Sequence, residues 1–280
     1  AAGLAGCNSL LGSRQSTDHP DGTADSPSGG DENPPNEAGL RPVFEREYPV
    51  SDGVGAFEDV TALDGEGYVL AGTQTTPSGG SRGWLVGTNS QGQKRWENTY
   101  GSGATQLHGV TTAPGGDVIA VGRRGSRAQR TRGWALRLSP DGRERWSQSY
   151  DGGTNPILQA AAPAPRGFFL TGVREMTRQG GGSGWLLLVD DDGAVVDDRV
   201  FDSGHSRVFN DVVRTGRETY VLVGSASDGS DGTSSGYLVG IDAAGTTRFE
   251  RQLAEAQHNV FRGGVARGGG VLCCGETSPN

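Results

Sequence analysis

Lysine is almost missing from this sequence: Lys94 stands alone, and arginine supplies the other cationic side chains. Cysteine occurs three times, at Cys7, Cys273 and Cys274, which is too few for a disulfide framework. No stretch approaches 18 consecutive apolar residues, so no complete transmembrane helix is written into the chain. Helical packing is excluded by a different shortage, since hydrophobic residues make up only 33% while glycine occurs 49 times. Glycine is costly inside helices and useful in turns, so the composition describes a loop-rich all-β chain. Familiar catalytic signatures are missing too: there is no His-Glu-x-x-His and no glycine-rich loop between a strand and a helix. The four histidines (His19, His108, His205, His258) share no repeat position, which argues against a histidine-lined metal ring. The net charge of −8 leaves no basic surface for nucleic acid.

Two blocks of sequence remain, a polar N-terminal tail and a repeat region. The chain opens Ala1-Ala2-Gly3-Leu4-Ala5-Gly6-Cys7, without an initiator Met. Leu4-Ala5-Gly6-Cys7 resembles the lipobox of prokaryotic lipoproteins, in which the cysteine is lipidated and becomes the new N-terminus. The basic and apolar parts of a signal peptide are then expected upstream of Ala1. Residues 8–40 carry six carboxylates against Arg14 alone, and almost no apolar side chains after Leu11. Such a segment cannot bury enough surface to offset its ordering entropy, and it reads as a disordered acidic linker. The resemblance implies a membrane anchor at Cys7, with the protein on the outer face of the cytoplasmic membrane. Firm anchoring takes two lipid chains. An acidic chain with one lysine also matches a salt-adapted, GC-rich source such as a haloarchaeon.

From residue 41 onward the sequence repeats. An Asp-Gly turn joins Gly133-Trp134-Ala135-Leu136-Arg137-Leu138 to Arg143-Glu144-Arg145-Trp146 and on to Tyr150, which is a strong hairpin signal. The same pattern begins at Gly83-Trp84, Gly184-Trp185 and Gly236-Tyr237, at intervals of 50, 51 and 52 residues. A second landmark is a glycine closing an apolar run, at Gly72, Gly122, Gly172, Gly224 and Gly275. Fifteen residues before each lies an apolar anchor: Phe57, Leu107, Ile157, Phe209 and Val260. Each unit therefore reads as four strands: a after the anchor, b before the glycine, c from Gly-Trp, and d carrying a Trp and then a Tyr. Four short strands per repeat of about 50 residues is the β-propeller pattern.

The expected architecture is an all-β propeller of about five four-stranded blades, the last incomplete. The repeats fall at about 57–103, 104–153, 154–204 and 205–255, with a partial one at 256–280. An orphan strand d lies at 41–49, and Gly275 to Pro279 matches the start of a b–c loop, as in a stretch of a larger propeller. The strand at Val43–Tyr48 is expected to pair with 271–274, in place of strand c, or else with the first complete repeat. In strand d of the third repeat Asp197 replaces the aromatic, so that outer strand is expected to be weaker. These units resemble tandem propeller repeats of prokaryotic secreted and lipid-anchored proteins. Gly92/Trp96 and Gly142/Trp146 loosely match the pyrroloquinoline-quinone-type repeat as well. That second resemblance implies, as an alternative function, a quinoprotein-type or other propeller enzyme with its site at the channel mouth.

Candidate chemistry is sparse. The five tryptophans, at fixed repeat positions, read as packing between blades. Cys273-Cys274 sit at strand-b core positions, one of them pointing inward. Asp190-Asp191-Asp192-Gly193 is a hairpin turn, and Asp228 to Gly232 a bare loop. Arg123, Arg124, Arg127, Arg130 and Arg132 crowd one b–c loop. The polar set with the best claim to a site begins strand a, which faces the channel in propellers: Glu58, Asp59, His108, Gln159, Asn210, Asp211 and Arg262. None is assigned as catalytic, and no metal or cofactor is assigned. The expected function is a lipid-anchored, extracytoplasmic binding or scaffold module for a protein or glycan ligand.

Overall fold

The computed structural model describes residues 44–50, 53–65, 67–125, 130–175, 181–202, 206–227, 233–253 and 258–278. The lipobox with Cys7 and the linker at 8–40 lie outside them, as do Val43, His205, Arg127 and the loop from Asp228 to Gly232. Every element assigned among the described residues is a strand.

Four antiparallel meanders of four strands follow one another, and a two-stranded sheet follows them. Blade one is β1 (Val54–Leu63), β2 (Gly67–Thr75), β3 (Ser81–Thr88) and β4 (Lys94–Tyr100). Blade two is β5 (Thr105–Thr112), β6 (Val118–Arg124), β7 (Arg132–Leu138) and β8 (Glu144–Tyr150). Blade three is β9 (Ile157–Ala164), β10 (Gly167–Arg174), β11 (Ser183–Val189) and β12 (Val195–Phe201). Blade four is β13 (Ser206–Arg214), β14 (Thr219–Ser227), β15 (Ser235–Asp242) and β16 (Thr247–Leu253). Blade five consists of β17 (His258–Arg267) and β18 (Gly270–Ser278). This is a propeller-type fold with its fifth blade incomplete.

The repeat landmarks have direct physical causes. A Cβ on Gly72, Gly122, Gly172, Gly224 or Gly275 would fall 1.9–2.0 Å from a carbonyl oxygen of strand a, so strands a and b meet at their narrowest there. The same contacts correct two anchors. Gly172 and Gly275 stand opposite Leu158 and Phe261, whereas Ile157 and Val260 supply the carbonyls. Each c–d hairpin turns on a glycine with positive φ, between 71° and 82° at Gly92, Gly142, Gly193 and Gly245. Asp190 Oδ1 accepts from the amides of Asp192 and Ala194, so the triple-aspartate stretch is a turn cap.

The core is layered between blades. One cluster joins blades one and two through Val69, Leu85, Leu107 and Trp134, and another joins two and three through Ile119, Leu158 and Trp185. A third joins three and four through Phe169, Phe209 and Tyr237. The strand-c glycines make room for these contacts: a Cβ on Gly83 would strike Leu107, on Gly133 Trp185 and Leu158, on Gly184 Phe209, and on Gly236 Phe261. Strand d locks onto the following blade. Tyr100 Oη donates to the Gly142 carbonyl at 2.5 Å and Tyr150 Oη to the Gly193 carbonyl at 2.9 Å. Burial raises the Tyr100 hydroxyl pKa to about 12 and pushes that of Tyr150 higher as well.

One expectation about outer strands is corrected and another is refined. In blade three β12 pairs with β11 as β8 does with β7, while its side chains are more exposed than those of β8. Phe201 stands at the tyrosine position without a hydroxyl, and Arg199 supplies the missing bond by donating to the Gly245 carbonyl at 2.6 Å. Asp197 holds that guanidinium from behind. At the N-terminal end, residues 44–50 form no strand and no ladder with β18. Tyr48 instead donates to the Gly92 carbonyl at 2.6 Å and meets Phe57 edge-on, so it takes the place of a preceding blade's strand-d tyrosine.

Candidate functional site

The innermost strand of every blade carries the same irregularity. In blade one the ladder steps from Phe57–Gly72 to Asp59–Ala71, leaving Glu58 as an extra residue. His108, Gln159, Asn210 and Arg262 are the extra residues in blades two to five. A β-bulge re-aims the side chain of its extra residue and bends the strand. Here five bulges direct five polar side chains into one cavity of about 480 Å³, which is also lined by Asp59 and Asp211. All seven strand-a candidates thus come together, although they span 205 positions of the chain. Ala160 and Gly263 complete the wall.

The seven do different work. Asp59 Oδ1 accepts from the Val60 amide and Oδ2 from the Val110 amide of the next blade, both at 2.8 Å. Asp211 repeats this between blades four and five, with Val212 at 2.7 Å and Gly264 at 2.9 Å. Burial raises the pKa of both carboxyls, and the amide hydrogen bonds offset part of that rise. These two aspartates are clamps between blades. Asn210 is tied in the same direction, donating Nδ2 to the Phe261 carbonyl at 2.7 Å.

The remaining four are less committed. His108 Nδ1 lies 2.6 Å from Glu58 Oε2, while its buried Nε2 has no hydrogen-bond partner among the described residues. Arg262 pairs with Glu276 at 3.0 Å, both side chains largely exposed, and sequence patterning did not mark Glu276. The Gln159 side chain makes no hydrogen bond among the described residues. The cavity thus mixes acceptors, a donor and side chains that can do both, and its described lining holds no nucleophile–base pair of the serine–histidine kind.

Other candidates resolve as structure. Trp84, Trp134 and Trp185 are buried, and their Nε1 atoms donate at 2.9 Å to Glu97, Ser147 and Asp198 of strand d. Trp96 and Trp146 lie against the turn glycines Gly142 and Gly193 of the following blade, so the Gly–Trp spacing serves packing between blades. In the arginine-rich loop, Arg123 binds Gln106, Arg124 lies over the Trp134 ring, and Arg130 pairs with Asp151. Cys273 packs against the Val213–Val221–Val223 cluster, and Cys274 is exposed. A larger hollow of about 690 Å³ beside β4 is lined by Val50, Gln74 and Glu97, but Glu97 is already held by Lys94 and Trp84.

No family model matches the chain, and no curated protein matches it. Among solved structures, it is similar to a protein of unknown function from Bacteroides caccae, with 9% identity and a TM-score of 0.48 over 76% of this chain and 68% of the other. A eukaryotic initiation factor is similar at 8% identity and a TM-score of 0.34, over 73% of this chain and 57% of the other. Likenesses this distant say nothing about activity.

Proposed function

We propose that this chain is a lipid-anchored, extracytoplasmic binding module that takes a glycan at the mouth of its central channel. One observation carries the reading. The repeats hold their packing positions nearly constant, yet place Glu58, His108, Gln159, Asn210 and Arg262 at the single equivalent position that faces the channel. Packing demands similarity among repeats, whereas recognition of an asymmetric ligand demands difference. The cavity volume of about 480 Å³ suits one or two sugar residues. Unspent hydrogen-bonding capacity on the Gln159 amide, together with the Glu58 carboxylate and the Arg262 guanidinium beside it, suits hydroxyl groups. A protein ligand would engage the same ring from outside. Attachment rests on the Leu4-Ala5-Gly6-Cys7 motif and the polar tail behind it.

The test is a glycan array followed by titration of the full chain. Binding should appear for a restricted set of sugars and be lost in a Gln159→Ala/His108→Ala variant that unfolds like the parent. Binding that survives this double substitution would place recognition elsewhere. For the anchor, Cys7→Ser in the native host should move the protein from the membrane to the soluble or secreted fraction.

A further inference from the structure

We infer that blade two carries a binding site for one tetrahedral oxyanion, a phosphate or sulfate ester group, between Arg124 and Arg132. The site is independent of the channel. Arg124 closes β6 and Arg132 opens β7, and the two stand directly opposite each other in the ladder. Side chains so placed start about 5 Å apart at Cβ, and like charges there destabilise a sheet.

The other four-stranded blades balance the same corner with their own residues. At the two ladder positions blade one has Gln74 and Arg82, blade three Arg174 and Ser183, and blade four Ala226 and Ser235. The strand-d residue that accepts from the strand-c aromatic is Glu97, Asp198 and Glu250 in those blades. At these three positions each blade sets no more than one cation against one carboxylate. In blade three the two meet, with Arg174 lying 3.7 Å from Asp198. Blade two differs on both counts. Its ladder pair is Arg124 and Arg132, and its strand-d acceptor is the uncharged Ser147.

Neighbouring groups do not cancel the two charges. Asp151 is bridged to Arg130 at 2.8 Å. Arg132 is exposed, and no side chain pairs with it among the described residues. Arg124 is held ready, since its guanidinium lies 4.8 Å from the centroid of the buried Trp134 ring. Stacking fixes the guanidinium plane and leaves its N–H edge for a ligand. Ser147 Oγ accepts from Trp134 Nε1 at 2.9 Å and keeps its own proton to donate. Two guanidinium forks and a hydroxyl offer donors only, which suits a group rich in acceptors and negative charge.

The probes are glucose 6-phosphate and glucose 6-sulfate, with glucose as the control. Each is titrated into the full chain at constant ionic strength and followed through the arginine Nε–H signals in nuclear magnetic resonance spectra. One ester or both should shift the Arg124 and Arg132 signals saturably, and the tighter ester identifies the group. Ser147→Asp gives blade two the carboxylate of blade three, and should weaken binding at least about tenfold while circular dichroism is unchanged. Arg132→Ser, which also copies blade three, should do the same. A Gln159→Ala/His108→Ala protein should keep its ester binding, which separates this site from the channel. Four results would overturn the site: shifts that do not saturate, equal shifts with glucose, binding that Ser147→Asp leaves unchanged, or binding lost with the channel pair.

Discussion

Val60 in blade one and Val110 in blade two stand at the same position of the repeat, yet the first is 56% exposed and the second 6%. The strands that carry them are of the same kind, and each is paired to its own strand b in the same register. What differs is the neighbour. Val110 faces another blade across the interface, and Val60 has no complete blade against it among the described residues. Burial in this fold is conferred by the adjacent repeat, as expected for a chain whose units cannot cover their own apolar faces. Among the described residues, blades two to four are thus held from two sides and blades one and five from one.

The largest effect should come from residues at one repeat position in an interior and a terminal blade. Phe169→Ala removes a fully buried ring between blades three and four and should cost about 3–5 kcal/mol in chemical denaturation. Leu272→Ala, at the same position in blade five, should cost less than about 1 kcal/mol because the side chain already meets solvent. Equal costs would break the comparison.

A smaller effect tests how blade three is fastened to blade four. Arg199→Ala should lose about 1–2 kcal/mol, the value of a charged donor on the Gly245 carbonyl. Adding Phe201→Tyr restores the hydroxyl found at Tyr100 and Tyr150, and should recover most of that loss.

Weaker still is a pH effect at the clamps that join a terminal blade to an interior one. Asp59 and Asp211 have folded pKa values raised above 3.8 by burial, so the folded chain holds their protons more tightly than the unfolded chain does. Their contribution is fully present below pH 3.8 and is lost as pH rises through the raised values. An Asp59→Asn/Asp211→Asn protein lacks this titration. Its denaturation midpoint, measured against the parent's, should fall less as pH rises through that window.

Much of this was legible in the sequence because the repeat imposes it. Gly72, Gly122 and their counterparts mark where strands a and b meet most closely, and a pattern that recurs five times identifies the strands without any single residue. The channel set was legible for the same reason, as polar residues following an apolar anchor. Bulge register was not. Ile157-Leu158 and Val260-Phe261 are pairs of adjacent apolar residues, and only the ladder shows that the second of each pair is the anchor. Compensation was hidden too, since nothing local to Asp197 shows that Arg199 reaches across to the next blade's turn. The place of Tyr48 depends on a turn 44 residues away, a contact that strand patterning does not encode.

Leu158 and Gln159 test the account most directly, because they are neighbours in the chain with opposite assignments. Leu158 is the buried anchor of blade three, and Gln159 is the bulged residue that lines the channel. If the repeats reserve the bulge position for recognition and the anchor for stability, Leu158→Ala should cost about 2–5 kcal/mol and Gln159→Ala no more than about 0.5 kcal/mol in parallel denaturation curves. A Gln159→Ala protein as destabilised as Leu158→Ala would contradict this, and would make the channel ring part of the packing.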